Sequence, residues 1–295
     1  MALRRGRRPG AHALTAWSPS PRQVERDAVR RRLRRRSATV ATLATVVVLG
    51  VLAVVVVTSP GWPRVKATFF DWSHARAAFP AVWKGFGKNV ASFLIAEPLI
   101  LLIGVLVAVV RSTTSAALFP LRLIAVVYTD LFRGVPTLLV VLLCGLGLPA
   151  LELQGVPTDT FWLGTFALVL SYGAYVAEVF RAGIDSIHPS QVASATALGL
   201  SNGQAMRHVV LPQATRRVVP PLLNDFISLQ KDTALLSSIF VFEAVFTAQD
   251  YGLYNFNYTP FVVVAVLFVA LTVPLARFTD WLGRRMMRRE RAGAR

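Results

Sequence analysis

Charged and amide side chains lie inside the long apolar stretches of this sequence, where a charge is costly to bury. Glu97 interrupts the apolar stretch 90–110, and Lys231 lies in the stretch 218–247, which also carries two prolines. An ionisable residue at membrane depth is a functional candidate by default. The candidate contacts for a polar solute are Glu97, Asn224, Asp225, Lys231, Asp232 and Thr233. The alternative is a buried ion pair, Glu97 with Lys231 or Lys231 with Asp232, that only fixes helix packing.

The sequence offers no residue pattern for catalysis, metal binding or nucleotide hydrolysis. Its single cysteine, Cys144, lies in an apolar run and cannot form a disulfide within the chain, and the four histidines are scattered. The stretch 85–88, Gly-Phe-Gly-Lys, lacks the spacing and the hydroxyl residue of a phosphate-binding loop. We therefore expect no catalytic residue, no metal ligand and no cofactor on this chain, which is not predicted to be an enzyme.

Two similar acid–arginine pairs follow or precede apolar stretches. Asp130 lies three residues before Arg133, and Glu178 lies three residues before Arg181. Residues at this spacing can meet on one face of a helix. One interpretation is a coincidental pair of interfacial ion pairs, each worth less than about 1 kcal/mol. The other is that the four residues clamp the loops on the cytoplasmic side into one platform.

The elements that must position these residues are membrane-spanning helices. Hydrophobic residues occupy 54% of 295 positions and the mean hydropathy is +0.53, whereas charged residues are only 16%. The stretch 38–58 carries no charge and is long enough to cross a bilayer core of about 30 Å. Since a chain in lipid must satisfy its backbone groups internally, the fold class is predicted to be all-α, a polytopic membrane protein.

About six transmembrane helices are expected, with an amphipathic segment, 121–134, lying along the membrane surface before the third. Glu97 would lie about 21 Å from the inner end of the second span, and Lys231 about 20 Å along the fifth, at a rise of 1.5 Å per residue. Their equal depth permits pairing. The predicted spans are 38–58, 89–110, 136–153, 160–180, a fifth that starts near 218, and 259–280.

The net charge of +17 is distributed as in a membrane protein rather than as in a nucleic-acid-binding protein. Twelve of the 32 Lys and Arg residues precede Ser37 and seven follow Ala276. If the N-terminus is cytoplasmic and six spans alternate, 26 basic residues lie inside and six outside. This asymmetry predicts a cell-membrane protein with both termini in the cytoplasm. The basic N-terminal tail, 1–37, is expected to be disordered and to contact anionic lipids.

The segment 188–214 is polar and interrupts the apolar pattern. Pro189 and Ser190 can start a helix, with Ser190 as its cap, and Gly199 is a natural left-handed terminator. Ser201 with Gln204 has the spacing of a capping box, and Pro212 is expected to end the second helix near Leu211. Two helices this short are not stable alone, so the predicted hairpin needs a surface to pack on.

Three surfaces could receive this hairpin: DNA, the membrane domain of the same chain, or a cytoplasmic partner. The pattern around Ala195 and Gly199 resembles a helix-turn-helix, but membrane spans begin within about ten residues on either side, and that motif needs free access to the major groove. A membrane-tethered DNA-binding regulator is thus the weaker hypothesis, and no nucleic acid is expected as a partner.

The segment resembles the EAA loop of ABC importer membrane subunits, whose motif is E-A-A-x3-G-x9-I-x-L-P. Here Ala193-Ser194-Ala195 precedes Gly199, and nine residues then lead to 209–212, Val-Val-Leu-Pro. The leading Glu of the motif is absent, since position 193 is Ala. Stretches 132–143, 174–187, 209–239 and 272–282 are similar to the polar amino acid uptake branch. The resemblance covers roughly residues 81–283.

This resemblance implies a permease subunit with a five-span core and a cytoplasmic coupling helix. The implied transmembrane domain is 81–283, with its EAA-like loop at 181–217, an extra N-terminal span at 38–58 and a basic cytoplasmic C-terminal tail at 284–295. The implied ATPase-coupling residues are Ser190, Gln191, Ala193, Ser194, Ala195, Gly199, Leu200, Leu211 and Pro212.

The implied partners are an ABC ATPase dimer that binds ATP and Mg²⁺, a second permease that is either identical or paralogous, and an extracytoplasmic binding protein that delivers an amino acid. An amino acid carries a cation and a carboxylate, which suits a site with both charge signs. The alternative function is an ATPase-independent secondary carrier or channel for small solutes.

Overall fold

The computed structural model describes residues 20–113, 115–155 and 157–293, and these ranges contain helices and no strand. Two 3-10 segments, Ala116–Leu118 and Thr233–Ile239, and two π-helical segments, Leu143–Gly147 and Met206–Val210, adjoin the α-helices. The α-helices are α1 (Pro21–Thr58), α2 (Trp62–Phe69), α3 (Trp72–Arg111), α4 (Phe119–Gly134), α5 (Thr137–Leu142), α6 (Leu148–Ala150), α7 (Thr160–Asp185), α8 (Pro189–Ala197), α9 (Asn202–Ala205), α10 (Leu211–Asp232), α11 (Ala244–Asn255) and α12 (Thr259–Gly293).

The chain divides into two units, one that extends to Pro63 and a second that starts at Arg64. The first contains α1, which begins where the Ser20 hydroxyl accepts a hydrogen bond from the Gln23 amide and Pro21 occupies the first turn. The predicted disorder is therefore wrong for residues 21–37, whose Arg, Leu, Glu and Ala residues favour a helix that continues into the apolar stretch. Residues 1–19 lie outside the described residues.

The second unit is built around α3 and α7, which α5, α10 and the 3-10 segment Thr233–Ile239 cover. Small residues let α3 and α7 approach closely: a side chain at Gly104 of α3 would collide with Val176 of α7. The main apolar core contains Phe93, Ala96, Ile100, Val140, Val141, Leu168, Tyr172, Val176, Leu229, Leu236 and Ile239. This core holds the middle of α3, α7 and α10 in fixed register.

A second apolar cluster joins the first half of α3 to α11 and α12, and contains Ala78, Val82, Phe86, Ala244, Ala248 and Val264. The backbone of Glu243 runs so close to Gly85 that a Cβ at residue 85 would lie 2.7 Å from the Glu243 carbonyl carbon. Glu243 itself is fully buried, and its carboxylate caps α11 by accepting from the amides of Val245 and Phe246 at 2.9 Å.

Helix length and apolarity give four or five candidate spans in the described residues, where the sequence pattern predicted about six. Four described helical segments are long and apolar enough to cross a membrane, Pro21–Thr58, Trp62–Arg111, Thr160–Asp185 and Thr259–Arg285. A fifth is possible if Ala116–Gly134 and Thr137–Ala150, bent by 105°, form one broken span. The predicted fifth span, here α10, is not among them because polar residues interrupt it. The chain is a multi-pass helical membrane protein, as its apolar pattern predicted.

Several predicted boundaries differ from the helices. The second span was predicted to start at residue 89, whereas α3 starts at Trp72, where the Asp71 side chain caps it. Residues 136–153, predicted as one helix, are divided by the π turn at Leu143–Gly147. The predicted end of a helix near Leu211 is also wrong, because the chain passes from the π turn Met206–Val210 directly into α10. Pro212 lies in the first turn of α10, where its missing N–H is not needed.

Candidate functional site

The segment between α7 and α10, residues 188–210, folds as the predicted hairpin and is called the hairpin below. Its first helix, α8, is capped by His188 rather than by Ser190. The His188 Nδ1 atom accepts a hydrogen bond from the Ser190 amide at 3.2 Å, and Pro189 occupies the first helical position. The sequence-based choice of Ser190 as the cap is thus wrong by two residues, because the proline starts the helix.

The turn of the hairpin forms as its residue types predict. Gly199 has φ +86°, its amide donates to the Thr196 carbonyl, and the Leu200 amide donates to the Ala195 carbonyl. These two bonds define a Schellman motif. The predicted capping box is confirmed: the Ser201 amide donates to Gln204 Oε1 at 2.9 Å, and the Gln204 amide donates to Ser201 Oγ at 3.3 Å.

The hairpin packs on the end of α7 and the start of α10 through its own small apolar cluster. Ile187, Val210 and Ala214 are buried there, with Ile184 and Val192 packed against them. The end of α7 and the start of α10 form the base of the hairpin. Across this base, the Arg217 guanidinium of α10 donates to the carbonyl of Ser186, directly after α7. The hairpin therefore uses the membrane domain of its own chain as the surface that its short helices need, and it still leaves one face exposed.

The residues implied in coupling divide between this exposed face and the base. Ala195 is buried and Leu200 is half-buried, since the Schellman motif folds them toward the base. The exposed members are Ser190, Gln191, Ala193, Ser194, Gly199, Leu211 and Pro212. The exposed set is thus available to another protein, whereas the two others hold the turn in place.

Glu178 is the centre of an ion-pair cluster at the end of the membrane domain that carries the hairpin. Its carboxylate pairs with Arg111 of α3 at 2.9 Å, with Arg133 of α4 at 3.6 Å and with Arg181 of its own helix. The Arg181 guanidinium also pairs with Asp185 at 2.6 Å. Side chains from three helices thus converge on one carboxylate.

The ion pairs differ from the prediction in two ways: the Asp130–Arg133 pair is absent, and Arg111 joins the Glu178 cluster. Asp130 is exposed and has no ion-pair partner among the described residues, because Arg133 extends from α4 to α7 instead of along its own helix. The Glu178–Arg181 pair is present as predicted. Arg111 was missed, although a basic residue directly after a long apolar stretch is a signal that could have singled it out. It also donates to Thr129 Oγ1 at 2.9 Å.

The residues predicted to contact solute lie around α3, α7 and α10 but do not form the predicted pairs. Glu97 lies near Asp225, close enough for their charges to interact. One carboxylate oxygen of Asp225 is buried and has no hydrogen-bond partner in the described part of the chain. Asp232 accepts a hydrogen bond from the Tyr172 hydroxyl at 2.8 Å. Sequence inspection did not single out Tyr172.

Lys231 is exposed and forms no ion pair with any residue that the structure describes, so the predicted Glu97–Lys231 and Lys231–Asp232 pairs are both absent. The physical reason lies in both depth and direction. Glu97 lies near Asp225, and Lys231 is six residues further along α10, about 9 Å along the helix axis and on a different face, so it meets neither the depth nor the direction of Glu97. Asn224 is also exposed.

Thr233 has a different environment from the rest of the set. It is fully buried, donates to the Gln230 carbonyl at 2.8 Å and accepts from the Asn89 side chain at 3.3 Å. Asn89 in turn accepts from the Ala244 amide at 3.1 Å. These bonds tie the end of α10 to α3 and α11.

Across residues 20–113, 115–155 and 157–293, no three His, Cys, Asp or Glu side chains are grouped to hold a metal ion.

Comparison with known proteins agrees with this architecture. Residues 100–288 match the family described as binding-protein-dependent transport system inner membrane component. Arginine transport system permease protein ArtQ of Bacillus subtilis strain 168 is 30% identical over 206 residues, which are 70% of this chain and 92% of the relative. Probable glutamine ABC transporter permease protein GlnM of the same strain is 32% identical over 209 residues, 70% and 94% of the two chains.

Two solved structures share the fold. A crystal structure of an amino acid ABC transporter with histidines superimposes with a TM-score of 0.66 and 28% identity, over 73% of this chain and 98% of the other. A structure of the MetNI methionine ABC transporter has a TM-score of 0.53 at 19% identity, over 74% and 99%, and is alike in fold alone. Since the family match covers more than half of the sequence, this chain belongs to the inner membrane components of binding-protein-dependent transport systems, the ABC permease family that its EAA-like segment resembles.

Proposed function

We propose that this chain is the permease subunit of an ATP-driven importer and that it moves an amino acid delivered by an extracytoplasmic binding protein. The observation that carries the proposal is the hairpin: a folded, exposed element on a base of its own chain, in a member of this family. Relatives named as arginine and glutamine permeases favour an amino acid as the solute. ATP and Mg²⁺ are bound by a partner ATPase dimer in this proposal, which assigns no catalytic role to the chain itself.

The hairpin acts as the mechanical connection to that ATPase. Closure of the ATPase dimer on ATP moves the docked hairpin. Because the hairpin is the segment of chain that connects α7 to α10, its displacement moves both helices. This is a coupling between two sites, since ATP and the solute each favour one of two arrangements of the helices. The apolar cluster of Ile187, Val210 and Ala214 supports the role, because a loosely attached hairpin could not transmit displacement.

The platform consists of Arg111, Arg133, Glu178 and Arg181, and does not include Asp130, which has no ion-pair partner among the described residues. A single carboxylate that holds three helices makes α3, α4 and α7 move as one body when the hairpin is displaced. Glu178 is only 18% exposed and Arg111 only 13%, so water screens this attraction less than it screens a surface pair.

The solute pathway is proposed to run beside α10. Glu97 and Asp225 are the candidates to receive the ammonium group of an amino acid, because the described residues offer neither of them an ion-pair partner within 4 Å. Lys231 and Asn224, exposed on α10, remain candidates for the carboxylate. Asp232 is held by Tyr172, and Thr233 is proposed to shape the pathway indirectly, through its bonds to α3.

The proposed orientation, with both termini cytoplasmic, is supported by the charge distribution: if six spans alternate, 26 of the 32 basic residues lie on the inner side. The hairpin and the Glu178 cluster then lie on the cytoplasmic side, and α11 lies on the outer side. A second permease, identical or paralogous, completes the pathway, and lipids surround the assembly. Residues 81–283 are proposed as the transport domain, with span 38–58 added before it.

The decisive experiment reconstitutes this chain with the ATPase and the binding protein from the same genome in proteoliposomes. We expect uptake of a radiolabelled amino acid that requires enclosed ATP at the ATPase face and the binding protein at the other face. A chain that lacks residues 190–205 should insert into the membrane but neither retain the ATPase nor transport.

The same vesicles test the alternative. Uptake by the chain alone, driven by a proton or sodium gradient and insensitive to removal of residues 190–205, would identify a secondary carrier or channel instead. A thermal-shift screen of the binding protein against the common amino acids then identifies the solute. The relatives are named for different amino acids, arginine and glutamine, so their names do not select one.

A further inference from the structure

Most of the hairpin carries no charged residue. The stretch 189–206, called the neutral stretch below, contains no Asp, Glu, Lys or Arg, and the nearest charged residues along the chain are Asp185 before it and the exposed Arg207 directly after it. The family motif places a Glu at position 193, and here that position is an exposed Ala. A partner that binds the exposed side chains of the neutral stretch therefore meets small polar and apolar groups and finds no ion-pair partner among them.

One large apolar side chain projects from the neutral stretch. Leu198 is 85% exposed, the highest value among the large hydrophobic residues in the described ranges. The Schellman motif produces this position: Gly199 at φ +86° turns the chain so that Leu200 folds back toward Ala195, and Leu198 is left outside the turn. The backbone of Leu198 is fixed by its amide, which donates to the Ser194 carbonyl at 3.1 Å.

We propose that Leu198 is the anchor residue of ATPase docking and that it inserts into an apolar, uncharged cleft of the ATPase. The inference rests on the proposed function. Three features support it together: the backbone that carries the side chain is fixed, the side chain makes few contacts within its own chain, and the neutral stretch around it offers no ion pair as a competing mode of attachment. Because the backbone is already fixed, binding has to order only the rotamers of one leucine side chain, a cost in conformational entropy of about twofold to fivefold in affinity.

The primary test measures retention of the ATPase by detergent-solubilised full-length chain carrying Leu198→Ser, Leu198→Met or no change. Burying one leucine side chain corresponds to roughly tenfold to a hundredfold in affinity, so Leu198→Ser should weaken binding by about that factor. Leu198→Met should bind within a few fold of the unchanged chain. Leu253→Ser is the matched control, since Leu253 of α11 is also exposed but lies far from the hairpin in sequence.

Two further measurements test the absence of charge. Retention by the unchanged chain should be equal or stronger at high NaCl than at low NaCl, because salt screens ion pairs and does not weaken apolar contacts. Ala193→Glu, which restores the acid of the family motif, should leave binding unchanged or weaken it. Tighter binding of Ala193→Glu, or release of the ATPase by salt, would overturn the uncharged cleft.

Leu198 could instead insert into the lipid surface, and a labelling experiment separates the two. In a Cys144→Ser background, Leu198→Cys should react with a water-soluble maleimide in vesicles and be protected when the ATPase is added. Protection by lipid alone, or full retention of the ATPase by Leu198→Ser, overturns the proposal.

If removal of 190–205 releases the ATPase but Leu198→Ser does not, only this inference fails. If even the unchanged chain binds no ATPase, the proposed function fails with it.

Discussion

At the scale of single residues, Glu178 has the largest predicted effect outside the hairpin. Glu178→Gln keeps the shape of the side chain but leaves Arg111, Arg133 and Arg181 without their shared anion. Since the cluster is partly exposed, we expect a loss of about 1–3 kcal/mol in the free energy of unfolding. We also expect ATP hydrolysis to lose its dependence on solute, because the three helices no longer move together. Thermal unfolding and solute-stimulated ATPase assays measure these effects.

Asp185→Asn is the matched control for Glu178. Asp185 also pairs with Arg181, but its side chain is 59% exposed, and an exposed pair at this spacing contributes about 0.3–0.5 kcal/mol. Equal effects of the two substitutions would show that the convergence of three arginines has no special role.

The residues proposed for solute contact give a second prediction at this scale. Glu97→Gln and Asp225→Asn should each lower uptake by about tenfold or more, which corresponds to 1.4 kcal/mol of lost interaction with the ammonium group. Lys231→Met should lower uptake as well. All three variants should insert normally and retain the ATPase, and exposed Glu152→Gln should transport as the unchanged chain does. Wild-type transport by both carboxylate variants would remove these residues from the pathway.

At the scale of elements, the hairpin depends on the left-handed backbone at Gly199. A β-branched residue strongly disfavours φ +86°, and the left-handed conformation costs an L-residue roughly 1–2 kcal/mol. Gly199→Val should therefore distort the turn and reduce both retention of the ATPase and ATP-dependent uptake. Gly203→Val is the control, since Gly203 lies in α9 and no atom is within 4 Å of a Cβ added there. If both variants retain the ATPase equally, the turn is not required for docking.

At the scale of the whole molecule, the proposed orientation is testable by labelling single cysteines in intact cells. In a Cys144→Ser background, Gln191→Cys in the hairpin should react with a membrane-impermeant maleimide only after the cells are broken. Leu253→Cys of α11 should react in intact cells. Both side chains are exposed, so their reactivity reports the side of the membrane rather than burial. Labelling of Gln191→Cys in intact cells would contradict the orientation and the docking of a cytoplasmic ATPase.

The sequence by itself determined the class of the protein and the local form of the hairpin. Long apolar stretches require helices in a membrane, and Gly199, Ser201 and Gln204 act through neighbours only a few positions away, so residue type and spacing are sufficient. The family was also evident from the EAA-like spacing. Boundaries were less accurate where a proline can occupy a first helical turn, as at Pro212.

Only the tertiary structure decided which charges meet. The partner of Arg133 is Glu178, on another helix, and the neighbour of Glu97 is Asp225 rather than Lys231. Spacing along the chain gives the depth of a residue in a helix and its angle on that helix. It does not give the rotation of one helix against the next, which the packing of α3, α7 and α10 fixes through the apolar core.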